Sequence, residues 1–421
     1  MTAANTPVLR GRRPANLPDI HAYGAILIDA ASGQVLYENN ADKELPMAST
    51  TKIMTALLFC EHVRDTDIIT ASPTACAVSD SSIHLLPGER MSGNDMLHAI
   101  LMRSANDGCV AAAEHIAGSE AAFVDMMNAR AAELGATHTH FANSNGLPDP
   151  DHYTSARDLA LIARAAMQEP RIRAIVRTTY YTIHRSMNWR DVHLKNHSHF
   201  LGHFPGADGI KTGWTHAAGH CYVGSATWNG WELISVVLHS PDYVHETEAL
   251  MKYGFTSFRQ HVIARAQEPL GTCPVRGGLQ SSVPVTVKTP LEVVLPKDEE
   301  PSIEREVHLD PVSAPVYAGA TVGTVEAVEE ERGQGVGQAM GKVVGSVPVV
   351  AAESDLRDTN IFSTTSGGPW GRMVFATTIM GMGLVSLRYG TRSRRFAAFA
   401  KSARRRRRRL AQSLRGSHRL R

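Results

Sequence analysis

Strand-like segments stand at both ends of the first 265 residues with helices between them, and that order restricts the fold more than any other feature. Residues 23–29 (YGAILID) read as a strand, Ala30-Ala31-Ser32-Gly33 as a turn, and residues 34–38 as the returning strand. Residues 94–103, with Met96, Leu97, Ile100 and Leu101 at helical spacing, then 109–117, 120–134 and 159–167 follow as helices. Ser155-Ala156-Arg157-Asp158 has capping-box form ahead of the last of these. Residues 141–152, with two prolines and Gly146, read as a loop. Strands return at 179–183, 207–212, 221–227 and 233–238, the last two joined by an Asn229-Gly230 hairpin turn, and a helix over 246–261 closes the unit. The expected result is an α/β (α+β) domain over 18–265. Its single sheet takes its halves from distant sequence and carries an inserted helical lobe.

Within that plan Ser49-Thr50-Thr51-Lys52 opens an apolar helical run, residues 53–59. Side chains three apart share a helix face, so Ser49 and Lys52 would stack, hydroxyl beside amine. A serine hydroxyl is a weak nucleophile until a base takes its proton, and a lysine whose pKa is depressed by burial can be that base. Alone, the pattern is equally a helix-capping serine followed by a solvated lysine. Two further motifs add to it. Ser104-Ala105-Asn106 occupies a break between helices, where its side chains can point into a cleft. Lys211-Thr212-Gly213 ends the strand expected from Ala207, where a lysine and a threonine can bind a carboxylate and glycine permits close approach of another chain.

With 421 residues, more than one core is expected. Residues 275–353 form short β-branched segments separated by Pro and Gly, a small all-β domain. Its acidic run at 326–331 reads as a solvated hairpin. Residues 354–370 are a polar linker. Residues 373–387 then run fifteen residues without a charge, between Arg372 and Arg388. That run covers about 22 Å, short of the about 30 Å hydrocarbon core, with flanking Trp370 and arginines able to reach the interfaces. The net charge of +2 hides an asymmetry: 14 Lys and Arg and no acid fall in 388–421, leaving 29 basic and 41 acidic side chains, a net of −12, before them. The basic tail, 389–421, favours a membrane anchor at 371–388 with the body outside and the tail in the cytoplasm. An anionic leaflet attracts such a tail by the same physics as nucleic acid, and the adjacent apolar run favours the membrane, so no nucleic-acid partner is expected. The extension 1–17 has Arg10, Arg12 and Arg13 but no apolar segment after them, so it does not read as a signal peptide. Cys60, Cys76, Cys109, Cys221 and Cys273 are scattered and odd in number, and free thiols are expected.

The three motifs, in this order, are the signature of penicillin-binding proteins and class A β-lactamases. Three longer stretches, 46–56 (PMASTTKIMTA), 152–159 (HYTSARDL) and 207–219 (ADGIKTGWTHAAG), sharpen the likeness. Over roughly residues 18–387 the chain resembles the low-molecular-mass penicillin-binding proteins, the D-alanyl-D-alanine carboxypeptidases of serine peptidase family S11. The 275–353 region, ending in VPVVAAE, resembles their second domain. The resemblance implies a serine β-lactamase/transpeptidase-like fold with an antiparallel sheet, and a bacterial cell-wall enzyme acting on peptidoglycan stem peptides ending in D-Ala-D-Ala. It implies Ser49 as nucleophile, Lys52 as general base and Ser104 in proton transfer. Asn106 would hold the substrate amide, Lys211, Thr212 and Gly213 would form the carboxylate-binding strand, and backbone N–H groups of Ser49 and Trp214 would form the oxyanion hole. No metal or organic cofactor is implied, and β-lactams would acylate Ser49. Ala105 and Trp214 depart from residues common in the family, which bears on substrate preference. Because this substrate lies outside the cytoplasm, a misplaced start or a shortened chain is the expected reason for the missing signal peptide.

Two other readings share these sequence features. A class A-like β-lactamase would need a deacylating glutamate between the second and third motifs, where Glu133, expected mid-helix, and Glu169, expected at a helix end, are the only glutamates after Glu120. An inactive, membrane-anchored wall-binding protein is the other. The histidines at 193, 197, 199 and 203 invite a zinc site, but Asn196, Ser198, Gly202 and Pro205 break any helix that would align them, so a polar loop is expected.

Overall fold

The computed structural model describes residues 14, 16–190, 192–298, 303–329 and 342–357. The expected anchor at 371–388 and the basic tail lie outside these residues, as do most of the linker and of the N-terminal extension. Among the described residues, no helix is long and apolar enough to cross a membrane.

A five-stranded antiparallel sheet organises the first region, in the order Val35–Asn39, Gly24–Asp29, Trp231–Ser240, Gly219–Trp228, Ala207–Thr215. The N-terminal hairpin thus pairs with a strand two hundred residues away, Ala25 opposite Val237 and Ile28 opposite Ile234. Side chains alternate across a strand, and here both faces are buried. Ile26, Ile28, Ile234 and Val236 enter the large core under the helical lobe, while Ala25, Leu27, Leu233 and Val237 enter a second core on the opposite face. The helix Tyr243–Ser257 closes that second face with Leu250, Met251 and Tyr253. Asn229 and Gly230 both have positive φ, 52° and 84°, which is what a two-residue hairpin turn between right-twisted strands requires.

The lobe is built around Lys52–His62, whose first eight residues are all buried. A helix apolar on every side belongs in the centre of a core. Asn106–Ala117, Glu120–Glu133 and Ala156–Ala166 pack about it. The segment after Gly93–His98 finishes as a π-helical turn, Ala99–Arg103, ending on Ser104 in the left-handed conformation, φ 63°.

Several expectations need correction. The break before the second lobe helix is shorter than expected, because Asn106 already starts that helix. Lys211-Thr212-Gly213 does not end its strand: the ladder with Gly219–Trp228 continues to Thr215. The helix expected through His261 stops at Ser257, and Phe258–Ala264 is a strand paired with Leu291–Pro296. Backbone pairing with a distant partner outweighs the helical pattern that precedes it.

The second region adds a six-stranded sheet in the order Ile303–Leu309, Thr321–Glu329, Lys342–Ala351, Ser282–Val287, Pro269–Arg276, Val312–Ser313. Val283, Val285, Val287, Val293, Leu295, Val325 and Val349 fill its core. It meets the first region at Gln34, whose buried amide donates to the Val294 carbonyl at 2.7 Å and accepts from the Val294 N–H at 3.0 Å.

Candidate active site

The turn Ala48–Thr51 precedes the buried helix and presents Ser49 where the edge strand Ala207–Thr215 crosses it. A Cβ on Gly213 would stand 3.0 Å from the Ser49 nitrogen and 3.1 Å from both the Met47 oxygen and the Thr50 nitrogen, so only glycine lets the strand backbone lie this close to the turn.

Lys52 is sealed from solvent. Its Nζ donates to Ser49 Oγ at 3.0 Å, to Asn106 Oδ1 at 2.7 Å and to the Asn145 carbonyl at 2.5 Å. None of these partners is a carboxylate. Burial pushes the Lys52 pKa down to about 8, so roughly a tenth of the amine is unprotonated near neutral pH. Asn106 is fixed from three directions: its N–H donates to Ser81 O at 2.7 Å, its Nδ2 to Ser79 O at 3.0 Å, and its Oδ1 receives Lys52.

Ser104 Oγ is buried and has no hydrogen-bond partner, a reactive-type hydroxyl left open in an otherwise paired interior. Lys211 is also almost fully buried, and its Nζ donates to the Thr212 carbonyl at 2.9 Å. Burial first, and the charge of Lys52 second, push its pKa down to about 7. Thr212 is half-buried, and Trp214 is exposed at the same strand, packed edge-on against His216 with centroids 4.8 Å apart. His197 is held down to about 4 by burial and by the neighbouring charges of Lys211 and Arg103. Protonated Lys211 and Arg103 therefore give this end of the cleft a cationic character suited to an anionic group, and burial together with the same charges keeps His197 neutral.

The sequence-predicted Ser49, Lys52 and Asn106 are thus joined in one hydrogen-bonded cluster, and Gly213 abuts it. Two contributors escaped the sequence reading, the Asn145 carbonyl and Arg103, and His197 was expected only as part of a polar loop. A backbone carbonyl in a loop carries no side-chain signature, while 152–159 stood out only as a stretch resembling a family. Among the other histidines, His193 Nδ1 lies 3.0 Å from Thr182 Oγ1. No group of three or more His, Cys, Asp or Glu among the described residues is arranged to hold a metal. Glu133 is not mid-helix but ends the helix and pairs with Arg130, and Glu169 caps Pro170–Val176 by accepting from the Arg171 N–H. The loop that reaches Lys52 brings a carbonyl and not a carboxylate. The five cysteines are free, and burial raises the Cys109 thiol, beside Lys52, to about 12.

Residues 12–242 match the family model described as D-alanyl-D-alanine carboxypeptidase, and residues 258–356 match the one described as penicillin-binding protein 5, C-terminal domain. The D-alanyl-D-alanine carboxypeptidase DacF of Bacillus subtilis (strain 168) is 31% identical over 372 residues, 86% of this chain and 92% of the relative. DacC of Escherichia coli (strain K12) is 32% identical, over 73% of this chain and 80% of the relative. Among solved structures, penicillin binding protein 5 from Haemophilus influenzae superposes with a TM-score of 0.66 at 26% identity, covering 82% of this chain and all of that one. The Streptomyces K15 DD-transpeptidase gives 0.54 at 28% identity over 57% of this chain and 99% of that one.

Proposed function

The chain belongs to the D-alanyl-D-alanine carboxypeptidase family and is a serine-type D-Ala-D-Ala carboxypeptidase; on that premise we propose that Ser49 is its nucleophile and Lys52 the base that activates it. The observation that carries this assignment is the sealed Lys52 amine 3.0 Å from Ser49 Oγ, with its pKa lowered by burial and no carboxylate among its hydrogen-bond partners. Unprotonated Lys52 takes the Ser49 proton as Oγ attacks the penultimate D-Ala carbonyl of a peptidoglycan stem peptide. The backbone N–H groups of Ser49 and Trp214 receive the oxyanion. The proton passes by way of Lys52 and Ser104 to the departing D-alanine nitrogen, which leaves an ester on Ser49. Water, deprotonated by the same lysine, hydrolyses that ester. Protonated Lys211 and the Thr212 hydroxyl bind the terminal carboxylate, and Gly213 lets the substrate backbone lie along the strand edge. Asn106 orients Lys52 and has one Nδ2 hydrogen left for the substrate amide. The chemistry assigned here calls on side chains and backbone alone.

β-Lactams imitate the scissile amide and acylate Ser49 in this reading. The catalytic region then works outside the cytoplasm, tethered by the apolar run at 371–388, with the arginine-rich tail inside. The supporting features are the sequence of that run and the sign of its flanks.

Mass spectrometry of the full chain with benzylpenicillin, beside D-alanine release from a synthetic D-Ala-D-Ala peptide, tests the assignment. A penicilloyl adduct on Ser49 and D-alanine release, both absent in Ser49→Ala, are expected. Fast drug turnover without D-alanine release would point to a β-lactamase. Neither adduct nor release from folded protein would leave a wall-binding protein.

A further inference from the structure

The loop between Phe141 and His152 touches the catalytic turn at every level. Its Asn145 carbonyl receives Lys52 and its Ser144 carbonyl receives Thr55 Oγ1 at 2.5 Å. A Cβ on Gly146 would overlap the Ala48 carbonyl. At the end of the loop, His152 is buried and its ring is committed at both nitrogens. Nδ1 accepts from the Ala142 N–H at 3.0 Å, so the ring proton resides on Nε2, which donates to Thr51 Oγ1 at 2.7 Å. Thr51 Oγ1 in turn donates to the Ala48 carbonyl at 2.8 Å.

Ala48 is the residue before the nucleophile, and its φ is +49°. A residue with a Cβ resists that region, so the surrounding structure must hold it there. The groups that meet its carbonyl are the Thr51 hydroxyl and the Gly146 backbone. A hydroxyl rotates freely unless its acceptor side is also engaged, and His152 engages it. Burial keeps the imidazole neutral, with its pKa near 4, so the donor at Nε2 persists across the range in which such an enzyme works.

We propose that His152 is a positioning residue for this reaction: through Thr51 it locks the left-handed Ala48 and thereby sets the backbone from which Ser49 projects. It touches neither substrate nor reacting atoms. The proposal rests on Ser49 being the nucleophile.

The test uses the full chain and two readouts, steady-state D-alanine release and hydrogen exchange of the amides in 47–53. His152→Ala and Thr51→Val should each lower kcat by about 100-fold, the scale of a displaced nucleophile, with KM within about threefold. His152→Gln, which retains an N–H donor near Nε2, should recover most of the rate. The double variant should lose no more than either single one, because the two residues act as one relay. Exchange across 47–53 should quicken in His152→Ala and Thr51→Val and stay near wild type in His152→Gln. Losses that multiply in the double variant, a change confined to KM, or unaltered exchange would overturn the relay. Should His152→Ala not fold, Thr51→Val alone decides, since it removes the hydroxyl at nearly constant volume. A wild type that releases no D-alanine would count against the Ser49 assignment, while the exchange data still report on the relay.

Discussion

Lys52 and Lys211 are two lysines buried in one cleft, neither paired with a carboxylate, and the charge of the first is felt at the second. The proposed mechanism asks opposite things of them: Lys52 must be neutral to take a proton and Lys211 charged to bind a carboxylate. With pKa values near 8 and near 7, the productive combination is a minority species of the empty enzyme.

The first prediction follows from that pair. The pH profile of kcat/KM for a D-Ala-D-Ala peptide should be a narrow bell centred between about 7 and 8, rising as Lys52 loses its proton and falling as Lys211 loses its own. A substrate with an amidated C-terminus has no carboxylate to bind, so its profile should keep the rising limb and lose most of the falling one. Parallel profiles for the two substrates would show that Lys211 does not read the carboxylate.

Gly213→Ala places a methyl 3.0 Å from the Ser49 nitrogen. The edge strand or the catalytic turn must give way, and displacement of about an ångström at a reacting centre costs about 100-fold in rate. Overpacking should also cost about 1–3 kcal/mol of stability. Acylation rates and urea unfolding, measured on the same preparation, check both figures.

Glu89 and Arg185 have no exposed side-chain surface and meet at 2.7 and 2.8 Å in a two-pronged pair. Arg185 also donates to the carbonyls of Ile83, His84 and Arg190, and so ties residues 183–190 to the segment whose Ser79 and Ser81 carbonyls hold Asn106. Arg185→Ala leaves a buried carboxylate without its partner and should cost about 3–5 kcal/mol. Arg185→Lys cannot restore the planar fork and should recover only part of that in denaturant titrations.

Stability should fall as the solution is acidified from about pH 6.5 to about pH 4. His152 is held near pKa 4 in the fold by burial, with Lys52 and His140 adding to the depression and Asp149 opposing it. It returns to its ordinary value on unfolding. Between the two values the unfolded chain binds the extra proton, so acid favours unfolding, by at most about 3 kcal/mol from this group. His197, half-buried, is shifted the same way. The difference between wild type and His152→Gln isolates the His152 share: the unfolding free energy of wild type should fall relative to that of the variant as pH falls. A constant offset across this window would contradict the assigned burial of the neutral ring.

How much of this was legible beforehand depended on whether a feature announces itself in side chains. The Asn229-Gly230 turn was readable because few other residues accept two positive φ values in succession. Ser49 and Lys52 were readable because a helix puts residues three apart together. The strand Phe258–Ala264 was not, because Phe258-Arg259-Gln260-His261 does not alternate cleanly and its partner, Leu291–Pro296, lies some thirty residues on. The part played by residues 141–152 was hidden for another reason. Asn145 and Ser144 act through carbonyls, which every residue possesses, and His152 acts through a hydroxyl two residues from the nucleophile. The family resemblance carried the roles of Ser104 and Lys211 beyond what spacing alone supports.

The pairing of Gly24–Asp29 with Trp231–Ser240 also fixes when the enzyme can first act. Synthesis delivers Ser49 and Lys52 early, yet the sheet that backs them and the edge strand that crosses the turn arrive about 160–190 residues later. Contacts of such long sequence separation form late, after the loop between them has closed. A nascent chain therefore carries its nucleophile for most of its elongation as an ordinary serine beside an ordinary, solvated lysine. Reactivity switches on only with the completed sheet, so a fragment that ends before Trp231–Ser240 should be blind to penicillin.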